Sequence, residues 1–145
     1  MVAAEHQTPE LIHGGKGCIL LVDDEEALER VGQAFLRRLG YEVVSRRDSR
    51  EALEAFRAAP QRFDLIITDQ TMPHMTGEML ARELRGIRPD IPIILCTGFS
   101  HVINAEKARA LGIDAFVMKP IVMHEFARTI QQVVDDRSQG HFKAR

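Results

Sequence analysis

The sequence predicts a doubly wound α/β fold, in which a five-stranded parallel sheet is covered by five helices. β-prone segments alternate with amphipathic helical segments five times, and this alternation is typical of parallel sheets with right-handed crossovers. Four of the β-prone segments are continuous apolar runs, as expected of strands buried on both faces. These runs are 18–22, 65–68, 91–96 and 115–118, and the remaining strand is predicted at 41–44.

The helical segments begin and end at residues that suit helix termini. The first predicted helix, 25–39, is followed by Gly40, and the second begins at the capping-box pattern of residues 48–51 and ends before Pro60. Pro89 stops the third helix, and Asn104 caps a fourth that ends at residue 111. The fifth helix has one apolar face: Phe126, Ile130, Val133 and Val134.

The chain of 145 residues is long enough for one domain with a sizeable core. We expect a flexible leader over residues 1–16, a single domain over 17–134, and a polar tail over 135–145. A net charge of -2 without a basic stripe gives no indication of a nucleic-acid partner. No apolar stretch reaches the ~18 residues that a membrane span needs. The two cysteines fall within predicted strands, where buried free thiols are expected, so we predict a cytoplasmic protein.

Polar residues stand directly after the apolar runs. Asp23 and Asp24 follow the first run, Asp69 follows 65–68, Thr97 follows 91–96, and Lys119 follows 115–118. Ligands of open α/β sheets bind just beyond the carboxyl ends of the strands. The sequence therefore predicts that three carboxylates, a hydroxyl and an ammonium group share one edge of the sheet.

This set of groups suits a divalent cation and a phosphoryl group. Clustered carboxylates repel one another, and a hard cation such as Mg²⁺ relieves that repulsion. An ionised aspartate can attack phosphorus without a general base, while a cation, a lysine and a hydroxyl neutralise the developing charge.

Each residue of the set also has a plainer explanation. The acidic run 23–26 suits a helix N-terminus, an aspartate such as Asp69 commonly begins a turn, and Lys119 could simply reach solvent. The loop after the third strand carries two turn formers, Pro73 and Gly77. It is the shared position of the polar residues at strand ends that favours the functional interpretation.

The ordered motifs resemble those of receiver domains of two-component response regulators. They are LVDDE at 21–25, DLIITDQTMP at 64–73, TG at 97–98 and MKP at 118–120, and the resemblance covers roughly residues 17–134. It implies a flavodoxin-like strand order of 2-1-3-4-5 and a phosphoacceptor role for Asp69.

The resemblance also implies the remaining roles. Asp24, Asp69 and the backbone carbonyl of Thr71 would bind Mg²⁺ or Mn²⁺, with Asp23 acting through a water molecule. Thr97 and Lys119 would hold the phosphoryl oxygens. A conformational switch would couple Thr97 to the aromatic residue of the fifth strand, which is phenylalanine, Phe116, where many receivers have tyrosine.

The implied partner is a histidine kinase or a histidine phosphotransfer protein, with an effector that the sequence does not identify. A dimer that forms on phosphorylation is also compatible with the family. The protein would not be an enzyme in the usual sense, since it would catalyse only its own phosphorylation and dephosphorylation. The stretch 96–100 resembles receivers attached to hybrid histidine kinases, so both a separate protein and a domain of a larger one remain open.

Two other functions remain as alternatives. The first is a degenerate receiver that only binds partners. The second is a haloacid-dehalogenase-like phosphohydrolase, which also uses an aspartate nucleophile, Mg²⁺, a hydroxyl and a lysine. That family has a second aspartate two residues after the nucleophile, where this chain has Thr71, and its nucleophile follows the first strand rather than the third.

Overall fold

The computed structural model describes residues 17–98 and 110–138, which contain a five-stranded parallel sheet. The order across the sheet is β2-β1-β3-β4-β5, and each neighbouring pair is parallel. The predicted fold class and strand order are therefore confirmed. The strands are β1 Cys18–Val22, β2 Glu42–Arg46, β3 Leu65–Asp69, β4 Ile93–Thr97 and β5 Ala115–Met118.

Four α-helices lie wholly within the described residues, and none of them is long and apolar enough to cross a membrane. They are α1 Glu26–Arg38, α2 Ser49–Ala58, α3 Gly77–Ile87 and α4 Met123–Ser138. A fifth helix was predicted from Asn104 to residue 111; it falls outside the described residues except for its last two, 110 and 111, which are helical.

Most boundaries agree with the sequence prediction to within two residues, including β4, which begins at Ile93 rather than residue 91. Two differences have a clear physical reason. The edge strand β2 ends at Arg46 rather than Val44, because a strand paired on one side does not need apolar residues on both faces. Helix α4 continues to Ser138, past the predicted domain end at Val134. Polar residues can extend an exposed helix, and the first strong breaker in the sequence is Gly140.

The central strands are buried on both faces of the sheet. All five residues of β1, β3 and β4 are buried, as the apolar runs predicted. Side chains alternate between a core under α2 and α3 and a second core under α1 and α4. Stacked aromatic pairs pack in each core, Phe56 with Phe63 and Phe35 with Phe126. Both cysteines are buried free thiols, as expected.

At the amino edge of the sheet, two carboxylates fix the starts of strands. Asp64 Oδ2 accepts a hydrogen bond from the backbone N–H of Cys18 at 2.8 Å, and Asp114 Oδ2 accepts one from that of Ile93 at 2.8 Å. These bonds hold the first residues of β1 and β4 against their neighbours. The register they help to set carries the last residues of the strands to a common carboxyl edge.

Candidate functional site

The side chains predicted from the strand ends converge at the carboxyl edge of the sheet. Asp69 is the last residue of β3 and Thr97 is the last residue of β4, and both are buried. Asp23 follows β1 directly, and Lys119 follows β5. Backbone hydrogen bonds extend the ladder past the strands, since the N–H of Lys119 donates to the carbonyl of Thr97 at 2.9 Å.

A lysine–carboxylate ion pair lies at the centre of this edge. Lys119 Nζ is 2.7 Å from Asp69 Oδ1, and the Asp69 side chain is almost completely buried. Burial by itself would lower the pKa of Lys119, but the hydrogen bond to Asp69 and the charges of Asp69 and Asp23 together raise it. The ammonium group therefore stays charged and is held directly against the carboxylate.

Three carboxylates crowd the same space. Asp23, Asp24 and Asp69 each offer one oxygen atom, and these three atoms all lie within 4.8 Å of one another. Burial raises the pKa of Asp23 to about 6, and the charges of Asp69 and Asp24 add to the shift, while a hydrogen bond from the Glu25 N–H and the charge of Lys119 oppose it. One lysine does not balance this negative charge, and a set of carboxylate oxygens fits a hard divalent cation.

The loop from residue 70 to 76 joins Asp69 to helix α3. The Gln70 side chain accepts a hydrogen bond from the Glu78 N–H at 2.9 Å and donates one to Glu78 Oε2 at 3.0 Å. The backbone carbonyl of Gln70 accepts a further bond from the Gly77 N–H at 2.9 Å. Thr71 is exposed at the start of this loop, two residues after Asp69. The bonds of Gln70 thus tie the residue after Asp69 to the first turn of α3.

Gly77 is required by a close approach rather than by a turn. A Cβ atom at this position would lie 2.4 Å from the carbonyl oxygen of Asp69 and 2.6 Å from Cδ1 of Leu95. Neither the backbone nor the packed leucine could give way that far. The sequence identified Gly77 as a turn former, but its role is to let α3 pack directly on the backbone of Asp69.

The two residues assigned to the switch lie on neighbouring strands. Thr97 is buried, and its hydroxyl donates to the carbonyl of Gly98 across a long 3.4 Å contact. Phe116 is partly buried and pairs with Leu95, two positions before the residue that pairs with Thr97. The sheet therefore places Thr97 and Phe116 on neighbouring strands, two residues apart in register.

Sequence reasoning missed two residues of this region, Gln70 and Ser49. Both are buried polar residues whose side chains hold the 70–76 loop. Gln70 could have been suspected from its position directly after Asp69, but nothing in the sequence indicates that it bonds to α3. For Ser49 the sequence offers only its place beside a helix cap.

The strand order, the buried Asp69–Lys119 pair and the acidic cluster together define a flavodoxin-like α/β protein with a carboxylate site at the carboxyl edge of its sheet that could hold a metal ion. The profile of the response regulator receiver domain family matches residues 19–131. The chain therefore belongs to the response regulator receiver domain family. Members of this family interact with histidine kinases or phosphotransfer proteins and with effectors.

Curated relatives and solved structures agree with this assignment. The chain is 32% identical over 121 residues to the sensor kinase CckA of Brucella abortus (83% of this chain, 13% of that protein). It is 33% identical over 116 residues to the transcriptional regulatory protein ZraR of Escherichia coli (80% of this chain, 26% of that protein). The chain thus spans well under half of the length of each of these two relatives.

Two solved structures are similar over nearly their whole length. A receiver domain protein from Clostridium thermocellum superposes with a TM-score of 0.81 at 27% identity, covering 86% of this chain and 98% of that one. The chemotaxis protein CheY4 of Vibrio cholerae gives 0.75 at 30% identity, covering 82% and 99%. The comparisons offer no support for a phosphohydrolase or for a receiver that only binds partners.

Replacing Asp23 by asparagine should stabilise the metal-free protein at neutral pH. The pKa of Asp23 is about 6 in the folded protein and about 4 in an unfolded chain. The folded state therefore holds an extra proton between these values, and the free energy of unfolding falls as the pH rises through this window. After a reduction for solvent screening, the free energy of unfolding should fall by about 1 kcal/mol in total. The fall is complete above pH ~6, which is where Asp23→Asn should be the more stable protein.

Urea denaturation of the metal-free protein from pH 4 to 8 measures this effect. Asp23→Asn should remove the fall between pH ~4 and ~6, whereas Asp136→Asn, an exposed substitution on α4, should leave it intact. The same fall in the Asp23→Asn protein as in the unaltered one would contradict the raised pKa of Asp23.

Proposed function

We propose that this chain is a phosphoacceptor receiver that takes a phosphoryl group onto Asp69 in the presence of Mg²⁺ or Mn²⁺. One observation carries the proposal: the buried Asp69 carboxylate has Lys119 Nζ 2.7 Å from one oxygen and the carboxylates of Asp23 and Asp24 beside it. A structural ion pair would not need two further acidic groups at the same edge. A phosphoryl-transfer site needs both the nucleophile and a place for the cation.

The residues divide the work as follows. An oxygen of the ionised Asp69 attacks phosphorus, the phosphorus–donor bond breaks, and the donor leaves with the bonding electrons. Lys119, held charged by its neighbours, transfers a hydrogen bond from the Asp69 carboxylate to a phosphoryl oxygen. Mg²⁺ bound by Asp24, Asp69 and the carbonyl of Thr71, with Asp23 acting through water, would supply further charge neutralisation.

The chain would act on itself rather than turn over a free substrate. Its chemistry is limited to forming and hydrolysing its own acyl phosphate, because the nucleophile is the group that ends up modified. Such a signalling role fits a protein that works in the cytoplasm with a kinase as its phosphoryl donor. We propose no nucleic-acid contact and no membrane contact for the described domain.

A surface beside the site suits the phosphoryl donor. Four large apolar residues near the site are 37–51% exposed: Leu28, Val31, Val122 and Met123. Three of these, all but Val122, line a cleft of about 400 Å³ between α1 and the start of α4, which reaches Asp69 and Lys119 at one end. We call these four residues the apolar rim. We propose that a helical surface of a histidine kinase or histidine phosphotransfer protein covers the rim and presents its phosphohistidine to Asp69.

Phosphorylation would then be read out through Thr97. A phosphoryl dianion on Asp69 offers the Thr97 hydroxyl a stronger, charge-assisted hydrogen bond than the long contact to Gly98. Movement of Thr97 inward leaves space that Phe116 can fill, and burial alone would drive that change because phenylalanine has no hydroxyl. An effector, or a second copy of the chain, would bind one of the two states better.

Asp69→Asn should abolish phosphorylation by acetyl phosphate. The amide is not nucleophilic, whereas its size preserves the packing of the buried site. Intact-mass spectrometry should show a single phosphoryl adduct on the unaltered protein with Mg²⁺ and little or none with excess chelator. The control is Asp64→Asn at the amino edge, which should still be phosphorylated. An adduct that persists in the Asp69→Asn protein would refute the acceptor assignment.

Placing a charge on the apolar rim should slow transfer from a kinase but not from a small donor. Val31→Lys puts an ammonium group where an apolar partner surface would pack, but it lies outside the acceptor chemistry. Transfer from autophosphorylated histidine kinases should fall by about tenfold or more, as for a lost interface anchor of ~1.4 kcal/mol. The acetyl phosphate reaction should keep its rate.

The matched control is Met79→Lys, an equally exposed apolar residue on α3. It adds the same charge away from the rim and should leave both reactions unchanged. Equal slowing by the two variants would indicate general charge repulsion, and no slowing by Val31→Lys would exclude the rim as the docking surface.

Beryllium fluoride, which mimics a phosphoryl group on aspartate, should change hydrogen exchange across residues 110–134. This change in hydrogen exchange depends on the Thr97 hydroxyl. The Thr97→Ala protein should therefore still bind beryllium fluoride but show little change in exchange over these residues. Exchange measured with and without the mimic tests this. If protection is identical although the mimic binds, the switch proposed here does not operate in this protein.

A further inference from the structure

A buried serine outside the acceptor site holds the loop that follows Asp69. Ser49 is the first residue of α2 and has 0% exposure. Its hydroxyl donates to the backbone carbonyl of Met75 at 2.6 Å and lies 3.8 Å from the sulfur of Met72. Since Met72 and Met75 are far along the chain from Ser49, this contact joins two separate elements.

The serine hydroxyl is not needed to cap its own helix. Asp48 is the N-cap residue of α2, and its carboxylate accepts from the backbone N–H of Arg50 at 2.7 Å. Because Asp48 already caps the helix, the Ser49 hydroxyl can bond to the loop instead. The cap residue also lies beside this loop, with Asp48 Oδ2 3.8 Å from Nδ1 of His74.

The loop has a backbone conformation that needs to be held. His74 has a φ of 70°, in the left-handed region that residues other than glycine rarely adopt. Such a conformation costs of order 1 kcal/mol or more and persists only where surrounding contacts impose it. The carbonyl that Ser49 binds belongs to the next residue, so the bond fixes the chain directly after the strained position.

Two attachments therefore hold the loop from opposite sides. On the α3 side, Gln70 bonds to Glu78, and the hydroxyl of Thr76 accepts from the Met79 N–H at 3.2 Å. On the α2 side, Ser49 holds Met75. The exposed Thr71 lies between these attachments, and its carbonyl is the backbone ligand in the function proposed above. Mg²⁺ requires near-ideal octahedral geometry, so a displaced carbonyl costs affinity.

We propose that Ser49 is a positioning residue for the metal site, which fixes the 70–76 loop so that the carbonyl of Thr71 is aimed at the cation. This inference rests on the proposed function, because that function makes the Thr71 carbonyl a ligand. Loss of a group that orients a metal ligand typically weakens metal binding by about 10–100-fold. We expect Ser49→Ala to raise the Kd for Mg²⁺ by about tenfold.

The experiment compares Mg²⁺ binding with loop protection and overall stability in the unphosphorylated protein. Calorimetric titration gives the Kd for Mg²⁺, hydrogen exchange without metal reports on residues 70–76, and thermal denaturation reports on the fold. The matched control is Thr129→Ala, which also removes a hydroxyl-to-carbonyl hydrogen bond, from Thr129 to Glu125 on α4 at 3.0 Å. Ser49→Thr keeps the hydroxyl and should keep the Mg²⁺ affinity of the unaltered protein. Ser49→Cys keeps about the same side-chain size, but its thiol is a weak hydrogen-bond donor to the Met75 carbonyl.

The expected result is weaker Mg²⁺ binding and faster exchange over 70–76 in Ser49→Ala and Ser49→Cys, with Thr129→Ala unchanged. If Ser49→Ala does not fold, the Ser49→Cys protein decides the question. Unchanged Mg²⁺ affinity in a folded variant would overturn the inference even if the melting temperature falls, since that would make Ser49 only structural. Failure of the unaltered protein to bind Mg²⁺ at millimolar concentration would instead overturn the proposed function.

Discussion

The site depends on negative charge that the fold concentrates and only partly neutralises. Parallel strands end at one edge, so Asp23 and Asp69 are brought together by the same packing that buries the apolar residues preceding them. Lys119 compensates one carboxylate, while Asp23 is left with a pKa near 6. The free energy of core formation offsets this repulsion, and in the function proposed above a bound cation or a transferred phosphoryl group would change the balance of charge at the site.

The backbone around Asp69 is packed as tightly as the core. Gly77 leaves no room for a methyl group against the Asp69 carbonyl, and the Gln70 side chain bonds to the start of α3. Because α3 packs directly on the backbone of Asp69, a shift of the 70–76 loop would also displace the start of the helix. This arrangement gives the Asp69 carboxylate one defined position, as the proposed in-line attack on phosphorus would require.

Much of the fold was predictable because its signals are local and agree with one another. The apolar runs of β1, β3 and β4 specify buried strands, and the polar residues that follow them specify the site edge. The edge strand β2 was placed too early, because pairing on one side tolerates polar residues such as Ser45 and Arg46. The end of α4 was missed for a related reason, since polarity at Asp135 does not stop a helix.

What sequence could not supply were contacts between distant segments. Ser49 and Met75 meet only because α2 and the loop after β3 lie on the same side of the sheet. From the sequence, Gly77 is explained by a turn, whereas in the structure glycine is needed there because α3 approaches the backbone of Asp69 closely. Periodicity and capping patterns describe neighbours along the chain, whereas these residues are selected by neighbours in space.

The polar outer strand has a consequence for how copies of this domain can associate. An exposed strand edge is a template onto which another chain can add, and proteins discourage this with charged residues. Strand β2 forms one border of the sheet and carries Glu42 and Arg46 at its two ends, with Arg62 paired to Glu42 at 2.9 Å. Growth of a continuous sheet across the β2 border is therefore disfavoured, so any added strand meets charged side chains there first.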